Sequence, residues 1–295
     1  MAADKITYLE VGYEVSGYRI DSLAGAYDGY APVYKAQRTQ DSHAVTIAEF
    51  LPRRIAQRAG DYVEPAWGAD DDFDTERERF DAEAAALAGI EHPNLLPIVE
   101  RFRAHGTSYR VTARRTGTTL AEVIENAALT QREIVEILDP LLGGLQALHD
   151  AGCLHTAITP DAIFVRRDGT PLLTGMAGAR TTYWRELGEE AVPMADASPY
   201  RAPECMSNES TFGPPGDIYA FACLLHRAIT GQTPQVWQER ANSDLTVPTA
   251  ARTLVDFREG LLVAIDTGLA LDPEKRPQSV AEWRSMLRPE RRRIR

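Results

Sequence analysis

The chain opens on short runs in which apolar and polar positions alternate. Tyr18–Leu23 (YRIDSL), residues 31–37 (APVYKAQ) and residues 43–50 (HAVTIAEF) are rich in β-branched and aromatic residues, and turn-prone stretches separate them, so three strands are predicted. A polar, glycine-containing stretch follows to about Asp74. The spacing then becomes helical. Thr75-Glu76-Arg77-Glu78 reads as a capping box, with Phe80, Ala84 and Leu87 on one face. His92-Pro93-Asn94 closes that helix. Two further strand-like runs, residues 95–102 and 108–113, lead to Thr116-Gly117-Thr118-Thr119, which reads as a linker.

Beyond this point helices dominate. Thr130-Gln131-Arg132-Glu133 is a second capping box, opening a long helix through Ile134, Ile137, Leu141, Leu145 and Leu148 with a bend expected at Pro140. Two short strands flank Asp168-Gly169, a hairpin signal. A strand-rich first third and a helical remainder predict an α+β protein of two lobes.

Composition narrows the class. The 295 residues are 44% hydrophobic and 25% charged, ordinary globular usage. No apolar run approaches a membrane span, and the N-terminus lacks the basic-then-apolar pattern of a secretory signal. Three cysteines share no metal-binding or disulfide spacing, so a reducing, cytoplasmic setting is expected. A net charge of −11 argues against a nucleic-acid partner. Asp70, Asp71, Asp72 and Asp74 form an acidic cluster, read as favourable charge at a helix start rather than as a metal site. Only three of the 32 Lys and Arg residues are lysines (Lys5, Lys35, Lys275). That arginine bias points to a GC-rich, bacterial source and leaves few candidates for lysine chemistry.

Several segments, in order, resemble the eukaryotic-type protein kinases of bacteria. Val33-Tyr34-Lys35-Ala36 resembles the strand after the glycine-rich loop, and Val45–Pro52 resembles the VAIK strand. Glu83 falls at the αC glutamate. Leu154–Ile163 resembles the catalytic loop, with His155 at its histidine, and Ala202-Pro203-Glu204 matches APE. Asp217-Ile218-Tyr219 resembles the start of the buried central helix, and Arg276-Pro277 supplies the arginine that pairs with the APE glutamate. The resemblance spans Tyr18 to Leu287. It implies a bilobal kinase-like fold: an extension over 1–17, an N-lobe over 18–113, a C-lobe over 114–288 and a basic tail over 289–295.

The same alignment implies that the chemistry is gone. The VAIK lysine, which holds ATP phosphates and pairs with the αC glutamate, is Ala48. The HRD aspartate, the general base, is Ala157, and the second-metal asparagine is Ala162. The DFG aspartate, the main magnesium ligand, is Gly175, followed by Met176 and Ala177. The three glycines of the phosphate loop fall at Ala26, Asp28 and Ala31, where Asp28 would repel phosphate. Thr112 resembles the gatekeeper, with Ala113 and Arg114 in the hinge. A positioned general base alone contributes roughly 10²- to 10⁴-fold, and metal adds several kcal/mol. Lys35 and Asp161 are weak substitutes: the first is read as a solvated strand end, the second as facing solvent. Asp168 is read as a turn residue and His155 as packing beneath the loop.

The resemblance therefore implies a pseudokinase without Mg-ATP or any other cofactor, acting on protein partners as scaffold or allosteric regulator. Two alternatives stand beside it: an unconventional nucleotide-dependent transferase on this fold, and a membrane-proximal sensor domain of a longer receptor. Having lost its lysine, Glu83 is expected to swing outward with its helix or to find a backbone N–H or an arginine. Met176 and Tyr30 are candidates to fill space that phosphates occupy in active relatives; the alternative for Met176 is that it simply replaces the phenylalanine in the core. The HRD arginine, which reads a phosphorylated activation loop, is Thr156, although Thr181, Thr182, Tyr183 and Ser198 offer modifiable hydroxyls there. The substrate-loop threonine falls at Ala197. Arg288, Arg291, Arg292, Arg293 and Arg295 make the C-terminus basic, which reads as a solvated, frayed terminus or as a segment suited to contact with anionic lipid at the inner face of a membrane.

Overall fold

The computed structural model describes residues 8–25, 27–126, 129–187, 198–205, 213–243, 248–252, 254 and 256–287. They fall into two compact units. The first comprises Met1–Glu91 with Leu96–Arg115, the second His92–Leu95 with Thr116–Arg295.

In the first unit, β1 (Glu14–Val15), β2 (Tyr18–Leu23), β3 (Val33–Arg38) and β4 (Ala44–Glu49) run antiparallel. They continue into β8 (Thr107–Ala113) and β7 (Ile98–Ala104), giving the order β1-β2-β3-β4-β8-β7. Alternation assigns the two faces. Tyr34, Ala36, Val45, Ile47, Tyr109 and Val111 point into one core, together with Tyr18 and Ile20. The opposite face carries Val33 and Lys35 from β3, Thr46 and Ala48 from β4, and Arg110 and Thr112 from β8, at matched register positions.

Residues 51–74, expected as an irregular polar stretch, contain a hairpin of β5 (Ala56–Ala59) and β6 (Tyr62–Pro65) turning at Gly60. Its strands are four residues each, too short for periodicity to declare. Helix α1 (Asp70–Ala88) begins five residues before the expected capping box. Ala69 precedes it without a side-chain cap, Asp70, Asp71 and Asp72 occupy the first turn, and Thr75 lies inside the helix. The negative charges at the positive end of the helix dipole serve where a side-chain cap is missing.

The second unit is mainly helical: α2 (Leu120–Asn126), α3 (Gln131–Asp150), α4 (Gly178–Leu187), α5 (Pro214–Thr230), α6 (Trp237–Asn242), α7 (Glu259–Gly268) and α8 (Val280–Leu287). The Thr130–Glu133 capping box forms with both of its reciprocal bonds, and α3 runs on through Pro140. The expected linker 116–119 instead holds strand β9 (Thr118–Thr119). It joins β10 (Ile163–Val165) and β11 (Pro171–Leu173) in a small sheet. Gly117 makes this possible: its φ is +127°, and a Cβ there would lie 2.3 Å from the Val165 carbonyl oxygen. Helix α5 is buried on nearly every side, and α7 approaches it so closely that a Cβ on Gly268 would sit 2.7 Å from the Ala222 Cβ.

Candidate functional site

In the first unit, Ala48 lies near the end of β4, 7% exposed, directly opposite Val33 on β3 and Arg110 on β8. No amine occupies this place, yet Glu83 of α1 has a cation. Arg110 Nη1 donates to Glu83 Oε2 at 2.8 Å. Of the outcomes expected for Glu83, the structure realises the arginine partner. Lys35 shares the face of Ala48 but sits opposite Thr46 and is exposed. Thr112 donates to the Thr46 carbonyl at 3.4 Å, and Ala113 ends β8 before Arg114.

The loop between β2 and β3 is stitched to the segment after β4. Backbone N–H groups of Glu49, Leu51 and Arg53 donate to the carbonyls of Pro32, Tyr30 and Gly29, and the Tyr27 hydroxyl donates to the Leu51 carbonyl. Asp28 turns its carboxylate back on its own loop: Oδ1 accepts from the N–H groups of Tyr30 at 2.9 Å and Ala31 at 3.2 Å. Backbone N–H groups of such a loop are what a phosphate would use. Here an internal carboxylate takes two of them. Tyr30 is 3% exposed and packs its ring against Phe50 and Phe80, with centroids 5.8 and 6.4 Å away. Ala26 lies outside the described residues.

In the second unit, Asp217 near the start of α5 organises the catalytic-loop segment. Its Oδ1 accepts from the Thr156 N–H at 2.7 Å, and its Oδ2 accepts from the His155 N–H at 2.9 Å and meets His149 Nε2 at 2.9 Å. His155 is fully buried. Its Nε2 lies 3.0 Å from the Thr174 carbonyl, and its Nδ1 accepts from the Ala157 N–H at 3.3 Å. That pattern suits a neutral imidazole protonated on Nε2, and burial lowers its pKa from 6.5 to about 4. Ala157 adds only a methyl group.

Ala162 follows in a 3-10 turn capped by Thr159, and its carbonyl accepts from both the N–H and the hydroxyl of Thr174. Gly175 comes next with φ +80°, and a Cβ there would lie 3.9 Å from the Ala162 Cβ. The two positions expected to ligate metal are thus side by side, and neither carries a side-chain oxygen. Met176 and Ala177 are buried behind them. Among the described residues, no cluster of three His, Cys, Asp or Glu side chains could hold a metal ion. Asp161 is exposed, and Asp168 caps its own turn by accepting from the Thr170 N–H at 2.9 Å.

The segment after Gly175 departs from the expectation of accessible hydroxyls. It forms α4, in which Thr181 and Tyr183 are buried, and Thr156 and Thr181 hydroxyls meet at 2.8 Å. A threonine in the HRD arginine position therefore tethers this helix where an arginine would have awaited a phosphate. Thr182 is turned inward on α4, donating to the Gly178 carbonyl. Ala197 and the arginines of the tail, Arg288 to Arg295, lie outside the described residues. The scaffold pair is intact: Arg276 meets Glu204 through two parallel contacts of 2.6 and 3.0 Å, both side chains buried. Cys205 and Cys223 are buried free thiols whose pKa values burial pushes up to about 12, so they are protonated and inert.

A curled antiparallel sheet with one long helix, joined to a helical unit organised around a buried helix and an Asp–His–Thr loop, defines a protein kinase-like fold of the α+β class. Comparison with known proteins agrees. Residues 68–282 match the protein kinase domain family, and the chain belongs to it. It is 27% identical over 290 residues to the serine/threonine-protein kinase PknJ of Mycobacterium tuberculosis, covering 93% of this chain and 45% of that kinase. It is 28% identical to PknH of the same organism, covering 91% of this chain and 40% of that kinase. The chain thus spans less than half the length of these relatives. Among solved structures, the apo form of PpkA-294 superposes with a TM-score of 0.74 at 29% identity, covering 95% of this chain and 99% of that one. The kinase domain of Mycobacterium tuberculosis PknI superposes at 0.62 with 21% identity, covering 95% of this chain and 98% of that one.

Sequence reasoning missed Arg110. A faint signal existed: residue 110 follows the alternation that places Tyr109 and Val111 in the core, so it belongs on the face of Ala48. Pairing of β4 with β8, which no local pattern states, was needed to make the two neighbours.

Proposed function

We propose that this chain is a pseudokinase: a kinase-family protein that transfers no phosphate, binds Mg-ATP poorly or not at all, and serves bacterial signalling as a scaffold or allosteric regulator of a protein partner. One observation carries the reading. Ala162 and Gly175 adjoin in the second unit as a methyl group and a hydrogen, where an asparagine and an aspartate would grip magnesium. Magnesium requires near-octahedral oxygen ligands, so the residues present do not fit the ion. Ala157 supplies no base, and Asp28 spends its charge on the loop that would receive phosphate. The retained Glu204–Arg276 pair and the Asp217 hub support a protein kept for its shape.

The test is direct. Purified chain incubated with γ-labelled ATP, Mg²⁺ or Mn²⁺ and a general acceptor protein should acquire and transfer no label, and Mg-ATP should leave its melting temperature unchanged. Ligand that binds the native state must raise that temperature by linkage. A dose-dependent rise refutes the non-binding half, and any labelled product refutes the whole. Affinity capture from the source organism addresses the partner, and a chain that returns none loses the scaffold half.

A further inference from the structure

Glu83 lies on α1 and is anchored, though the position expected to anchor it is an alanine. Arg110 of β8 makes two side-chain contacts with α1. Arg110 Nη1 stands 2.8 Å from Glu83 Oε2, the two side chains being 17% and 12% exposed. The same guanidinium stands 5.2 Å from the centroid of Phe80, three residues earlier on α1. A planar guanidinium can donate in its plane while its face meets a ring, which an ammonium cannot do. Arg110 and Ala48 are opposite one another in the β4–β8 register. Side chains so placed rise from one face with Cβ atoms about 4.5–5.5 Å apart. Two cations of the sheet and its hairpin are placed differently: Lys35 is exposed opposite Thr46. Arg58 pairs with Glu49, whose partners Tyr34 and Tyr109 lie in the core on the other side of the sheet.

We propose that Arg110 has taken over, from one strand away, the cation that position 48 has lost, and that it holds α1 on the sheet in place of the lysine. Arg110 is then a positioning residue for Glu83 and α1. Its reach extends further, because Phe80 also packs against Tyr30 and Phe50. The helix, the loop tip and the end of β4 thereby form one packed body held by side chains of the chain itself. The inference shares with the proposed function only the alignment of position 48. Phosphotransfer by the wild type is read in the separate labelling assay, so the two can fail independently.

Hydrogen exchange of the full chain, resolved by peptide, tests it with four variants. Arg110→Met should speed exchange across residues 70–88 by about ten-fold or more, leaving α5 unchanged. Ala48→Lys added to Arg110→Met should return most of that protection, because a lysine there rises beside the emptied position. Arg110→Lys should be intermediate, keeping the charge but not the stacked plane. Should Arg110→Met fail to fold, Glu83→Gln must loosen α1 alone by a comparable factor. Unchanged α1 exchange in Arg110→Met or in Glu83→Gln overturns the proposal. So does a loosening that Ala48→Lys leaves unrepaired, since Arg110 would then be packing and not a relocated cation.

Discussion

Arg276→Met is the sharpest test of the view that architecture has been kept while chemistry has gone. All five N–H donors of this guanidinium are engaged. Two go to the Glu204 oxygens at 2.6 and 3.0 Å, and three go to the carbonyls of Ala270, Leu271 and Pro215 at 2.7, 2.9 and 3.1 Å. Its plane also stands 4.8 Å from the centre of the Tyr219 ring. Methionine keeps much of the volume but leaves the Glu204 carboxylate, 3% exposed, without its countercharge. Removing one member of a buried pair costs about 3–5 kcal/mol, a large share of the 5–15 kcal/mol of a typical domain. At roughly 2–4 °C per kcal/mol for a unit of this size, the melting temperature should fall by about 6–20 °C. Adding Glu204→Leu removes the stranded charge, so the double variant should lose less than Arg276→Met alone. Urea unfolding followed by far-ultraviolet circular dichroism reads both. A single variant that loses under about 1 kcal/mol, or a double variant worse than the single, would show that the pair does not hold this unit together.

Two further outcomes are expected. Burial holds the folded pKa of His155 at about 4, below the ordinary 6.5, so its stabilisation is complete above pH 6.5 and is lost as pH falls toward 4. The loss is worth up to about 3 kcal/mol, and His155→Gln should flatten the stability curve over that window; a loss of unfolding free energy between pH 7 and 4.5 that is the same in wild type and variant, read from urea titrations, would contradict it. Removing the Asp28 carboxylate with Asp28→Gly strips the acceptor from the Tyr30 and Ala31 amides. Bonds to a charged acceptor are worth about 1.5–3 kcal/mol, so exchange at those two amides should quicken about ten- to hundred-fold, and unaltered rates would rule out the internal cap.

The retained scaffold and the substituted positions have a common physical reading. Phosphoryl transfer is positioning and charge neutralisation, and each task depends on side-chain identity at a few places. The fold depends on buried pairs and hubs elsewhere. Ala157 and Gly175 therefore coexist with an intact Asp217, which still gathers His149, His155 and Thr156. At Glu83, Arg110 supplies a counterion.

Local information was enough for much of this. Alternation marked β2, β3, β4, β7 and β8, the Thr130 capping box marked the start of α3, and the Asp168-Gly169 turn marked the small hairpin. All of these are set by neighbours a few residues apart. Residue identity at 48, 157, 162 and 175 likewise stood in the sequence alone, because an alanine or glycine has no titratable group in any fold. Helix α1 starts ahead of the Thr75 cap motif, with the charges of Asp70–Asp72 in its first turn. The β5–β6 hairpin and β9 were too short to announce themselves. The burial of Thr181 involves a contact with Thr156, 25 positions earlier, whereas the Asp28 turn is local, its carboxylate reaching N–H groups two and three residues on. Arg110 is the clearest case. Its role follows from β4 pairing with β8 and from α1 lying across that pair, contacts spanning 62 positions between Ala48 and Arg110 that no local period encodes.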